Sequence, residues 1–295
     1  MTNTGSSASL ALAGHIFSFS SDGKEPPRLQ PAFDPFRVVA TTGPATAHYR
    51  VLDPDDAPWP TEVEGDTIWQ TETWRMLRAG VGDFFLAIHV LPDERPITVA
   101  RFAPDFSSGD LLRRAGRHGA PTPFAFNYPC DQVAVLNALA PHGVCIVHAG
   151  AVSFDGQGLL FCGRSGAGKT TLSRLCRESG ATLLNDDRQF LWIENGEARL
   201  APTPWHGLEP EINNQSVPLR AIIHLNQAPA NHLVSLCGAA AAARLLGNTV
   251  APFYRADALE HTLALIEQLT RAVPSHVLSF TPTHDAVKLC QSLLV

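Results

Sequence analysis

The stretch CGRSGAGKTTLS, residues 162–173, decides how the rest of the chain is read. Gly163-Arg-Ser-Gly-Ala-Gly168-Lys169-Thr170 fits the pattern G-x-x-x-x-G-K-[ST]. Its glycines let successive backbone N–H groups turn inward onto phosphate oxygens. The helix that follows points its N-terminus, the positive end of its dipole, at the same charge. Lys169 supplies a mobile cation for the outer phosphates, and Thr170 a hydroxyl for Mg²⁺. Gly163, Ser165, Gly166, Ala167, Gly168, Lys169, Thr170 and Thr171 therefore form the expected nucleotide-binding set. A glycine turn without nucleotide is the plainer alternative.

Such a loop needs a strand before it and a helix after it. VCIVHAGAV (144–152) and GLLFC (158–162) are apolar runs joined through Asp155-Gly156, a hairpin signal. A helix is expected from about Lys169 to Ser179, stopped by Gly180, and TLLNDD (182–187) reads as the returning strand. Upstream, Asp131 is expected to cap a helix carrying Val133, Leu136 and Leu139. Downstream, FLWIENGEARL (190–200) reads as a second hairpin turning at Asn195-Gly196, and LRAIIHL (219–225) as a strand. An Ala-rich helix fits 239–246, and Leu259, Leu263, Ile266 and Leu269 mark an amphipathic helix. SHVLSF (275–280) is a late strand before a last helix over about 284–294. This mixture predicts an α/β fold with antiparallel hairpins, not a simple doubly wound sheet.

Asp186-Asp187 follow an apolar strand only 17 positions after Lys169. That leaves room for one short helix and one short strand, so both carboxylates return beside the phosphates. One carboxylate suffices for Mg²⁺; two suggest a metal ligand and a general acid or base. The plainer reading is that one of them merely caps the next turn.

The 295 residues are 45% apolar, enough for one large domain or two modest ones. Residues 1–125 are rich in Pro and Asp turns (SSDGKEPP, LDPDDAPWP, LPDERP) between short strand-like runs such as FFLAIHVL (84–91) and ITVARF (97–102). They read as an accessory, mostly β domain, with 126–295 as the nucleotide-binding domain. Net charge is −6, so a bulk basic surface for nucleic acid is absent. The basic stretch LLRRAGRHG (111–119) reads as a solvated turn or helix end. Six cysteines include no CxxC pair, and Cys145 and Cys162 sit in apolar runs as small hydrophobes. The N-terminal MTNTGSSASLALAGHIFSF lacks a basic start and is broken by Gly14 and His15, so neither a signal peptide nor a membrane span is expected. A reducing, cytoplasmic setting and no membrane partner follow as expectations.

Taken together, VHAGAV, GLLFCGRSGAGKTTLSRL and GATLLNDD resemble the catalytic domain of HPr kinase/phosphorylase. SGAGKTTLS with NDD is also similar to the related nucleotide-binding core of ATP-dependent phosphoenolpyruvate carboxykinase. The resemblance covers about 140–225 well, the rest of the C-terminal half loosely, and 1–125 not at all. It implies a P-loop core of that type; the smaller, mostly β N-terminal domain rests on composition alone. It also implies ATP and Mg²⁺ as cofactors and a homo-oligomer. By resemblance Asp186 is the catalytic acid/base, Asp187 and Thr170 lie on the metal side, Lys169 on the phosphates, and His148 faces the active site. APTPWHGLEPEIN (201–213) stands where the family carries an Arg-Gly-Leu-Gly segment and an upstream metal-binding Glu; Trp205, His206, Glu209 and Glu211 are the candidates there. The family's partner-gripping segment and the full carboxykinase set of arginines are missing. Kinase chemistry therefore carries over better than phosphorylase activity. The pattern is closer to HPr-kinase-like proteins, some of which modify serine in ribosomally made peptides. The implied activity is transfer of the ATP γ-phosphoryl group to a serine hydroxyl of a peptide or protein. A small-molecule kinase and a nucleotide-binding regulator without transfer are the alternatives.

Overall fold

One long strand that changes partners midway organises the C-terminal half. The computed structural model describes residues 7–21, 26–39, 44–52, 65–79, 83–88, 96–113, 124 and 126–294. It divides into two compact units, Met1–Leu139 and Ala140–Val295.

In the second unit, β9 (Val144–Phe154) and β10 (Gln157–Cys162) form the expected hairpin, with Asp155 and Gly156 at φ +49° and +78° in its turn. β11 (Thr182–Asn185), β12 (Arg188–Glu194) and β13 (Glu197–Pro202) follow, then β14 (Val217–Gln227), β15 (His232–Leu236), β16 (Thr249–Val250) and β17 (Ser275–Phe280). The sheet order is β10-β9-β12-β13-β14-β17-β15, with β11 and β16 also on β9. β10 further pairs with β14, so β10, β9, β12, β13 and β14 close on themselves. β10–β14 and β14–β17 are parallel and the remaining pairs in this unit antiparallel. The mixed architecture matches the expectation of α/β with antiparallel hairpins.

β9 explains the bend. Val144–His148 pair with β12, whereas Ala149–Phe154 pair with β10 and Ala151–Ser153 also with β11. The short connection Asp186-Asp187 sits where β11 and β12 part. β10 is buried on both sides, and its alternation sorts the core. Leu160 and Cys162 join a cluster with Leu184, Leu191, Leu245, Ile266 and Leu269. Leu159 and Phe161 join one with Leu172, Cys176, Ile223, Leu278 and Val287.

The helices follow those clusters. α2 (Lys169–Glu178) and α5 (His284–Gln291) cover one side; α3 (Gly238–Leu246) and α4 (Ala256–Ala272) the other. In α4 the buried stripe is Ala258, Thr262, Leu265, Ile266 and Leu269, while Leu263 is 43% exposed, so the seam is rotated from the expected one. α5 stops at Gln291, short of the expected end. Gly150 lets α2 lie close on β9, because a Cβ there would meet Ser173 Oγ at 3.0 Å.

The first unit is an N-terminal β domain. Strands β1 (Ser7–Leu12), β2 (His15–Ser21), β3 (Ala47–Leu52), β4 (Asp66–Gln70), β5 (Trp74–Ala79), β6 (Asp83–Ile88), β7 (Thr98–Phe102) and β8 (Ser108–Arg113) form one sheet. Its order is β1-β2-β3-β8-β7-β6-β5-β4, parallel only at β2–β3 and β3–β8. Tyr49 anchors its core: the hydroxyl donates to the Phe106 carbonyl at 2.8 Å, and Phe19, Phe102 and Phe126 pack on the ring.

Ala13-Gly14, at φ +48° and +80°, turns a β1–β2 hairpin at the break in the N-terminal apolar stretch. Leu111–Arg113 complete β8 instead of starting a solvated turn; 114–119 lie outside the described residues. Asp131 is inside the first turn of the helix α1 (Cys130–Leu139), not its cap, because Pro129 precedes the helix and Asp131 N–H already donates to the Asn127 carbonyl. Phe126 packs with the first unit, and the contact division falls at Leu139/Ala140, past the expected boundary at 125/126. The Pro121–Pro123 segment lies outside the described residues. No helix among the described residues is long and apolar enough to cross a membrane.

Candidate functional site

The glycine loop leaves the end of β10 and enters α2 at Gly168, which has φ +100°. An L side chain is strained there, and a Cβ would meet Phe280 Cζ at 2.8 Å. Glycine is therefore required on two independent grounds. The loop is tied down from distant segments. Gly163 N–H donates to Asn248 Oδ1 at 3.1 Å, and Gln227 Nε2 donates to the Gly166 carbonyl at 2.7 Å. Asn248 also accepts the His148 N–H on its carbonyl at 2.7 Å, so one residue fixes both the loop and β9. Ser165 and Thr171 are exposed, Thr170 half-buried, and Ala167 N–H donates to the Arg164 carbonyl at 3.0 Å.

Lys169 is buried and turned back. Its Nζ donates to the Gly163 carbonyl at 2.8 Å and meets His148 Nε2 at 3.0 Å. Burial pulls its pKa down, opposed by the charge of Asp187 and, more weakly, by Cys162 and Asp186. On the other side of the imidazole, His148 Nδ1 lies 3.0 Å from Asp187 Oδ1. An ammonium can only donate, so Nε2 accepts from Lys169, and Nδ1 then carries the hydrogen that Asp187 receives. Asp187, His148 and Lys169 thus form a chain of hydrogen bonds. Burial alone would raise the Asp187 pKa. The His148 hydrogen bond and the positive charges of Arg188 and Lys169 outweigh it and hold the carboxyl below its usual value. Arg188 pairs with Asp187 Oδ2.

The neighbouring carboxylate does something else. Asp186 Oδ1 accepts from Gly207 N–H at 2.8 Å, and Oδ2 from Leu208 and Glu209 N–H at 3.0 and 3.2 Å. It holds the loop after β13 in place. The two side chains diverge because the bend is clamped. Buried Asn185 accepts the Asp187 N–H at 2.9 Å and donates to the Thr203 and Trp205 carbonyls. Buried Gln189 donates to the Asn185 and Ala149 carbonyls at 2.8 and 3.1 Å. Asn185, Gln189, Gln227 and Asn248 were not singled out from the sequence. Asn185 and Gln189 had one available signal: amides flanking an Asp-Asp pair on otherwise apolar strands.

Of the four candidates in 201–213, two are held by other side chains and two are exposed. Glu209 is gripped by Arg174 at 2.6 Å and Arg177 at 3.3 Å, and the Arg174 bond leads in lowering its pKa. Trp205 packs edge-on against Phe190; His206 and Glu211 are exposed.

Two cavities flank the loop. The larger, about 1170 Å³, is bounded by Gly163–Ala167, His148, His224–Gln227 and Arg244–Val250 without Leu245 and Leu246. The smaller, about 490 Å³, lies at Gly168 and Thr171, with Gln227, Ala228, Phe280, Thr281 and Pro282 around it. The loop, a helix N-terminus and a buried amine together suit a polyanion such as a triphosphate. Of the oxygens expected to hold Mg²⁺, Asp187 Oδ2 is paired with Arg188 and would have to exchange it for the cation.

A family model described as "ScmC: SynChlorMet cassette protein ScmC" matches residues 130–281. Among solved structures, the HPr(Ser) kinase/phosphatase from Coxiella burnetii is similar over 50% of this chain and 87% of its own, at 17% identity and a TM-score of 0.30. No curated protein matches.

Proposed function

The chain belongs to the family of SynChlorMet cassette protein ScmC, and from the geometry of its site we propose that it is an ATP-dependent phosphotransferase acting on a serine hydroxyl of a peptide or protein. The observation that carries this is the Asp187–His148–Lys169 chain at the mouth of the glycine loop. A site that only held a nucleotide would have no need of an oriented imidazole beside the lysine.

The residues divide the work as follows. The loop amides and the N-terminus of α2 receive the phosphates, and Lys169 leaves the Gly163 carbonyl and His148 to neutralise the outer ones. Its departure frees His148 Nε2. The acceptor hydroxyl gives its proton to Nε2 while its oxygen forms the new bond to Pγ. The bond from Pγ to the β,γ-bridging oxygen breaks, and ADP leaves with that oxygen. Asp187 Oδ1 keeps the imidazole in the accepting tautomer and stabilises the imidazolium. Thr170 and Asp187 Oδ2 would hold Mg²⁺, which would supply charge neutralisation to the transferred group. The resemblance assigns the proton to Asp186; the geometry favours His148, because both Asp186 oxygens are already occupied by three amides. Asp186 is then a positioning residue for the 207–209 loop. The domain reading that goes with this places catalysis in the second unit, with the first as an accessory.

Incubation of the full chain with γ-labelled ATP, Mg²⁺ and serine peptides tests the reading. Labelled phosphoserine is expected from the native chain and none from Lys169→Ala. Release of free phosphate only, or equal ATP affinity in both proteins by calorimetry, refutes it.

A further inference from the structure

The two cavities beside the glycine loop differ in charge. Among the described residues, the smaller has no charged side chain in its wall. The larger is walled by Arg164 and Arg244, with His148 and His224, and by no carboxylate among the described residues. Neither guanidinium has an ion-pair or hydrogen-bond partner among the described residues.

Lys169 tells which end of a bound triphosphate faces which cavity. Its amine lies on Gly163 and His148, both in the wall of the larger cleft. In such loops the amine serves the outermost phosphates. The γ end therefore opens on the cationic cleft, and the nucleoside end points past Thr171 to the neutral pocket with Phe280. Whatever receives the phosphoryl group must approach from the cationic side.

A second, independent feature marks that cleft as a ligand site. His224 is only 3% exposed, yet its Nε2 has no hydrogen-bond partner among the described residues. A buried polar atom left alone is costly, so an incoming group that bonds it regains free energy. Burial, helped by the charge of Arg244, drives its pKa down to about 4, so the ring is neutral at pH 7. Asn226, Gln227, Asn248 and Thr249 add neutral groups of the kind that bond peptide N–H and C=O. At about 1170 Å³ the cleft exceeds the ~300–1,000 Å³ of ordinary small-ligand pockets. It has room for the outer phosphates and several acceptor residues.

We propose that this cleft binds the acceptor, and that the acceptor is an acidic peptide segment whose carboxylates are held by Arg164 and Arg244 while a backbone group meets His224 Nε2. The proposal rests on the phosphotransferase reading for the word acceptor. The cleft's preference for acidic peptide can be tested apart from it.

The test uses the full chain and three serine hexapeptides that differ only beside the serine: two glutamates, two glutamines or two lysines. Each is titrated by calorimetry with and without ATP·Mg²⁺, and succinate serves as a small dicarboxylate control. The glutamate peptide is expected to bind at least tenfold tighter than the other two. Arg244→Gln should weaken it roughly tenfold or more, the worth of a charged hydrogen bond, with Arg244→Lys in between. ATP affinity measured on the same samples checks that the variant is folded. The proposal is overturned if no peptide binds, if charge makes no difference, or if Arg244→Gln leaves the glutamate peptide unaffected. Succinate matching the peptide, or a parallel loss of ATP affinity in Arg244→Gln, also overturns it, because the site then takes a small acid or the arginine serves the nucleotide. Absence of ATP binding in the native chain would sink the phosphotransferase reading instead, and leave the peptide titrations to judge the cleft.

Discussion

Gly168→Ala tests the loop geometry through stability alone. Two costs arise at this position. Gly168 has φ +100°, and holding an L residue in left-handed conformation costs about 1–2 kcal/mol. The new Cβ would also lie 2.8 Å from Phe280 Cζ and 3.3 Å from its Cε1. Overpacking of that kind costs about 1–3 kcal/mol unless the ring moves. The sum is roughly 2–5 kcal/mol, and the two parts can be separated. Phe280→Ala alone removes a buried ring and costs about 3–5 kcal/mol. In the double variant the steric part vanishes and the backbone part remains. The double variant should thus be more stable than the sum of single effects by about 1–3 kcal/mol. Urea unfolding with linear extrapolation measures all four proteins. Additive single effects, or a Gly168→Ala protein as stable as the native one, would refute the contact between loop and β17.

Three further outcomes are expected. His224 titrates near 6.5 unfolded but at about 4 folded, so the unfolded chain takes the proton first as pH falls. Stability from this group is complete above pH 6.5 and is lost towards pH 4, by about 3 kcal/mol; acid unfolding of His224→Leu should lack that slope. His148→Asn should keep ATP affinity and cut transfer by about 10²–10⁴-fold, whereas Asp186→Asn should retain far more activity; the reverse ranking in single-turnover assays returns the proton to Asp186. Phe126→Ala removes a ring whose centroid lies within 5.7 Å of those of Phe19, Phe33 and Tyr49, so thermal unfolding of the first unit should show a loss of about 3–5 kcal/mol; an unchanged transition would put residue 126 with the second unit.

The sequence alone determined what depends on neighbours along the chain. The Asp155-Gly156 and Asn195-Gly196 hairpins, the loop between β10 and α2, and the helix stop at Gly180 are local signals, set by φ preference, side-chain alternation and the helix dipole. Cys145 and Cys162, read as small hydrophobes, are fully buried in the core. Only the tertiary structure decided how those pieces meet. The β10–β14 pairing joins Leu160 to Ile222, Asn248 reaches Gly163, and Gln227 reaches Gly166. Each spans more than sixty positions, beyond the reach of any periodicity. The two aspartates show the limit most plainly. Residues 186 and 187 are chemically identical and adjacent, so sequence offers two equivalent carboxylates. Asn185 and Gln189 fix the bend so that one carboxylate meets the amides of 207–209 and the other meets His148. That split arises because side chains on successive residues point apart, and which way each points is settled by the strands that part around them.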